Sequence, residues 1–69
     1  MAVSYKRLWK LLIDKEMKKS DLEREAKITH YALSKLSQGK DVSTDVLEMI
    51  CKTLNCSIND IIEFIPEEL

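Results

Sequence analysis

Leu22-Glu23-Arg24-Glu25-Ala26-Lys27-Ile28-Thr29-His30-Tyr31-Ala32-Leu33-Ser34-Lys35-Leu36-Ser37-Gln38-Gly39-Lys40 lies near the middle of a 69-residue chain and organises the rest of it. Leu22 and Ala26 stand four apart, the spacing that puts two side chains on one helix face. They predict the inner side of a short helix, with Ile28 buried in the turn that follows. Thr29 is a strong N-cap, because its hydroxyl can accept from a free amide of the next turn. A second helix starts there and ends before Gly39, a residue suited to the left-handed conformation that closes helices. Ala32, Leu33 and Leu36 form its inner face. His30, Tyr31, Ser34, Lys35 and Gln38 point outward.

The flanks also read as helices. Before the central run, Ser4 caps a helix to about Glu16, with Tyr5, Leu8, Trp9, Leu12 and Ile13 on one stripe and Lys6, Arg7, Lys10 and Asp14 off it. The helix carrying Leu22 begins at Lys18 or at Ser20, where Glu23 would complete a capping box. After Gly39, a helix capped by Ser43 or Thr44 runs to about Leu54, with Leu47, Ile50, Cys51 and Leu54 inward and Asn55 as its left-handed stop. A fifth helix is expected between Ser57 and Pro66, with Ile58, Ile61, Ile62 and Ile65 on one side and Asp60 near its positive end. Strand-like alternation is confined to a brief hint at Val3 to Tyr5. The fold class is all-α, a single domain with five helices and a core of about residues 4–65.

One glycine, one proline and no Gly-, Ser- or Pro-rich run describe a helical chain with short connections. The net charge is −1, but it is unevenly spread. Residues 1–40 carry ten Lys or Arg against five Asp or Glu, and residues 41–69 carry one against seven. A chain divided this way can present a basic face despite its total charge; the plainer reading is that solvated helix faces differ in sign.

The apolar stretch Leu11-Leu12-Ile13 is too short for a signal or a membrane span, and no secretory leader precedes the two cysteines. A reducing, cytoplasmic compartment is therefore expected, with Cys51 and Cys56 as thiols. Two cysteines and a distant His30 fall short of a zinc site, so no metal or other cofactor is expected. Catalysis is not expected either: there is one histidine, no Gly-rich phosphate loop and no shared cleft of carboxylates.

Two short helices joined by a tight turn, the second with a polar outer face, make a helix-turn-helix, whose second helix lies in the major groove. The run resembles the Cro and phage-repressor (XRE-like) regulators, in particular compact stand-alone bacterial members. The resemblance rests on Leu22, Ala26, Ile28-Thr29, Leu33-Ser34-Lys35-Leu36 and Gly39-Lys40. Downstream, Leu47, Ile50, Leu54 and Ile58 through Ile62 match as well, so that it covers roughly residues 6–64. It implies a lambda-repressor-like domain that binds double-stranded DNA and regulates transcription, as a repressor.

Carried over by position, the resemblance puts His30, Tyr31, Ser34 and Lys35 on base edges, and Lys19, Thr29, Gln38 and Lys40 on phosphates. Lys19 stands where the family often has a glutamine. Two other positions depart from the pattern. Glu23 replaces a small residue under the second helix, so it swings outward or the helices sit further apart. Lys27 replaces a glycine in the turn, so it accepts a positive φ or the turn relaxes.

The surplus of isoleucine near the C-terminus predicts a homodimer through Ile61, Ile62, Phe64, Ile65 and Leu69, with Ala2 to Tyr5 as the second candidate surface. The competing function is a protein-interaction adaptor or an antitoxin-like module on the same fold, for which the acidic C-terminal third would supply the partner surface.

Overall fold

The computed structural model describes residues 2–66. Four α-helices follow a first strand: β1 (Ala2–Ser4), α1 (Lys6–Asp14), α2 (Lys19–Ala26), α3 (His30–Ser37) and α4 (Thr44–Leu54). A single 3-10 turn (Ile58–Asp60) and β2 (Glu63–Ile65) complete the order. The core is one cluster built by every helix. Leu8, Leu22, Leu36, Ile50 and Ile61 are its most deeply buried large side chains, and Tyr5, Leu12, Ala26, Ile28, Ala32, Leu33 and Leu54 surround them.

The expected inner faces of α2 and α3 are the observed ones: Leu22 and Ala26, then Ala32, Leu33 and Leu36, are all buried. In α4, Ile50 and Leu54 are buried, while Leu47 and Cys51 pack against the core from its margin. Ile13 of α1 departs from expectation and is 73% exposed. At about 100° per residue, the inward arc of α1 centres on Leu8 and Leu12. Leu11 and Trp9 flank that arc, and Ile13 lies beyond Trp9 on the solvent side. Ser4 is also not the N-cap residue; Tyr5 holds that position, and Ser4 Oγ accepts from the Lys6 amide at 3.3 Å.

The helix ends follow local chemistry. Helix α2 begins at Lys19 with Lys18 as its N-cap, so of the two expected starts it takes the one two residues before Ser20; in place of a Ser20–Glu23 box, Asp21 accepts from the Lys18 amide at 2.9 Å. The Lys18 amide and the Arg24 guanidinium hold the Asp21 carboxyl below its usual range. Ser43 caps α4 by accepting from the Val46 amide at 3.3 Å, and Asn55 ends it with φ 52°.

The fifth helix does not form. Asp60 accepts from both the amide and the hydroxyl of Ser57, at 3.0 and 3.2 Å, and this closes one turn. Pro66 disfavours α geometry at Ile65, and Phe64 and Ile65 suit a strand. The segment therefore extends and pairs antiparallel with β1, Ala2 opposite Ile65, Val3 opposite Phe64 and Ser4 opposite Glu63. The hint of alternation at Val3 to Tyr5 is the partner strand that makes this possible. Arg7 of α1 fastens the same segment, donating to the Asn59 carbonyl at 3.0 Å and to Glu63 at 3.4 Å.

The surface expected to join two copies is altered as a result. Ile61 is completely buried in the chain's own core, so it is unavailable to a partner. Ile62 is half-buried against that core, whereas Phe64 and Ile65 are exposed. Leu69 lies outside the described residues.

Candidate nucleic-acid interface

Helix α3 is held at both ends by bonds that leave its outer face free. At its start, Thr29 Oγ1 accepts from the Ala32 amide at 3.1 Å, satisfying one of the amides a helix start leaves unpaired. At its end, Gly39 adopts φ 71°; its amide bonds to the Leu36 carbonyl and the Lys40 amide to that of Lys35. This paired closure around a left-handed residue is a Schellman motif. The Lys40 carbonyl then accepts from the Tyr5 hydroxyl at 2.8 Å, which ties the exit of α3 to the start of α1. Burial, and secondarily the Asp41 charge, push the Tyr5 hydroxyl pKa upward, so this donor keeps its proton.

The turn between α2 and α3 resolves both departures noted in the sequence. Lys27 takes the left-handed conformation, φ 57°, and so accepts the geometry a glycine would adopt more cheaply. Glu23 swings outward to His30, its Oε1 3.1 Å from the ring Nδ1.

The residues expected on base edges share one surface. The side chain of His30 is 84% exposed, and Tyr31 is 69% exposed. Lys35, one turn on, sets its ammonium 4.9 Å from the centroid of the Tyr31 ring. A cation over an aromatic face is attracted to the ring's negative π-surface, so the pair presents positive charge and a phenol together. Ser34 is half-buried beside them. No acidic residue occurs between His30 and Lys40.

The residues expected on phosphates flank this surface. Lys19, first in α2, holds its ammonium 4.3 Å from the Trp9 ring centroid and donates to Ser37 Oγ at 3.4 Å. It thereby joins α1, α2 and α3 and keeps its charge beside the end of α3. Gln38 and Lys40 are exposed at the exit of α3, and Thr29 is exposed at its entry. The Thr29 oxygen serves the cap, which leaves its hydroxyl hydrogen free to donate.

Sequence reasoning missed the wall opposite Tyr31. Thr29, Tyr31, Ala32 and Lys35 on one side, with Val42, Ser43 and Val46 on the other, line a cleft of about 240 Å³. Ser43 was legible as a cap, but nothing in linear spacing says that the start of α4 lies alongside α3. Cys51 and Cys56 are free thiols, both half-buried. Burial, then the proximity of Cys51 and Asp60, raises the Cys56 thiol pKa and keeps it protonated. Among the described residues, no helix is long and apolar enough to cross a membrane.

Two capped helices at a tight turn, the second with an exposed, acid-free polar face, define a helix-turn-helix regulator. The chain belongs to the Cro/C1-type helix-turn-helix DNA-binding domain family, whose model matches residues 7–67. It is similar to the transcriptional regulator VanUg, whose crystal structure superposes with a TM-score of 0.92 at 47% identity. That match covers 96% of this chain and 88% of VanUg. No curated protein matches the chain. The protein is a DNA-binding transcriptional regulator, not an enzyme.

Proposed function

We propose that the protein binds a specific duplex DNA site by inserting α3 into the major groove, and that it represses transcription by occupying that site. The observation that carries this reading is the outer face of α3: exposed, free of acids and held rigid by a cap at one end and a Schellman closure at the other. His30, Tyr31, Ser34 and Lys35 contact base edges, Lys35 donating to guanine O6 or N7 and Tyr31 offering a hydroxyl and a ring edge for a thymine methyl. Lys19, Thr29, Gln38 and Lys40 contact phosphates and set the register. The reading places the protein in the cytoplasm, where its two free thiols are compatible with a reducing environment.

The exposed Phe64 and Ile65 support a two-fold homodimer through the β2 side of the molecule, now without Ile61. Two copies would present two α3 helices to a palindromic site. The same apolar pair would serve a protein partner if the chain is an adaptor or antitoxin-like module instead.

Selection from a random duplex pool, followed by shift assays from low to high salt, tests the DNA reading. Enrichment of one motif, with affinity falling steeply as salt rises, is the expected outcome. Failure to bind duplex at any salt concentration overturns it in favour of the adaptor. Sedimentation at micromolar concentration tests the dimer, and a purely monomeric boundary refutes self-association in free solution.

A further inference from the structure

The contact between Glu23 and His30 serves neither the core nor a helix cap. His30 is the first residue of α3 and is almost wholly exposed, yet its Nδ1 lies 3.1 Å from Glu23 Oε1 on α2. The Glu23 side chain is only one-third exposed, so it is the more fixed member of the pair. An ionised carboxylate has no hydrogen to give, so the nitrogen facing it must carry one. In a neutral imidazole the other nitrogen, Nε2, is then a bare acceptor. Nε2 lies across the ring from Nδ1, so a ring gripped from α2 turns that acceptor away from the protein.

We propose that Glu23 is a positioning residue for specificity: it fixes the tautomer and orientation of His30, so that Nε2 accepts a hydrogen bond from an amino-bearing base edge. In the major groove such donors are adenine N6 and cytosine N4, whereas guanine and thymine present acceptors. Glu23 thus converts a residue of ambiguous hydrogen-bonding character into a reader of amino groups. The base-reading half of this inference rests on α3 lying in the major groove; the hold of Glu23 on His30 does not.

His30 is the chain's single histidine, so its ring nitrogens can be observed without ambiguity by long-range proton–nitrogen NMR. At pH 8, where imidazoles are ordinarily neutral, the free wild-type protein should show the Nδ1–H tautomer. An unrestrained histidine in water favours Nε2–H, so Glu23→Ala should shift the ring to that form. Glu23→Gln keeps the size of the side chain but adds an amide donor that satisfies either tautomer, so it should hold Nδ1–H less completely than the wild type. A wild-type ring already in the Nε2–H form, or one that Glu23→Ala leaves unchanged, overturns the positioning role.

With DNA at pH 8, selected sites should carry adenine or cytosine at one position per half-site. Changing that base to guanine or thymine should weaken wild-type binding roughly 10-fold and Glu23→Ala binding roughly 3-fold or less. Preference for guanine or thymine there overturns the proposed readout. If the tautomer result holds but no duplex is retained even at low salt, it is the DNA reading that has failed.

Discussion

Helix α3 and the β1–β2 ribbon both project side chains into solvent, but they expose opposite chemistry on opposite kinds of support. In α3 the exposed side chains are polar or cationic, and the helix beneath them is anchored by Ala32, Leu33 and Leu36 in the core. In the ribbon, Ser4 of β1 is buried and Val3 packs on the core, whereas all three residues of β2 are exposed and two of them are apolar. A two-stranded ribbon gains little stability by itself, so β2 is the more weakly supported element. Exposure therefore has two meanings here: α3 is exposed because its side chains prefer water or a polyanion, and Phe64 and Ile65 are exposed because nothing among the described residues covers them.

The strongest way to break that contrast is to remove the support of α3. Leu36→Ala deletes a side chain that is 1% exposed and should cost about 2–5 kcal/mol of unfolding free energy. Urea denaturation checks this, and a loss below about 1 kcal/mol would mean that α3 is not anchored as described. Next in size are changes to the polar face itself. Lys35→Ala should lower duplex affinity by about 1–3 kcal/mol and relax one base position, whereas Lys40→Ala should weaken all sequences alike and flatten the salt dependence by about one charge. Selection and salt titration of the two variants separate base reading from phosphate contact.

The ribbon should respond the other way. Phe64→Ser should abolish self-association in sedimentation while changing folding stability by no more than about 1 kcal/mol. A similar change in the core would be far more costly. Smaller effects are expected at the junctions. Lys27→Gly should raise stability by somewhat under about 1 kcal/mol, since relief of left-handed strain outweighs the extra freedom of an unfolded glycine. Gly39→Ala should do the reverse by about as much, although a Cβ there would meet nothing within 4 Å, because its φ of 71° is strained for any L-residue. Thermal melts read both.

The smallest effect is pH-dependent. The Asp21 carboxyl titrates below its unfolded value, so its contribution is present above the ordinary carboxylate range and fades as pH falls through its lower folded pKa. Asp21→Asn should therefore flatten the acid limb of a stability profile below about pH 4. No change in that limb would show that Asp21 contributes nothing to the acid response.

Much of the candidate site was legible because α3 is specified by local signals. A cap at Thr29, apolar spacing through Leu36 and a stop at Gly39 specify α3, and the same spacing assigns His30, Tyr31, Ser34 and Lys35 to its outer side. The grip of Glu23 on His30, the seat of Lys19 between Trp9 and Ser37, and the wall formed by Val42, Ser43 and Val46 were not legible. Each joins residues from different elements whose approach depends on how the helices pack.

The C-terminal segment marks the boundary most clearly. By itself the amino-acid order determined the presence of four helices, the caps at Thr29 and Ser43 and the inner faces of α2 and α3, since propensity, capping and periodicity act within a few residues. Whether Ile58 to Ile65 would coil or extend was decided by tertiary structure, because a strand needs a partner and that partner, Ala2 to Ser4, comes from the far end of the chain. The 3-10 turn packs against α1 and α4 and carries Ile61 into the core, while the strand that follows leaves Phe64 outside.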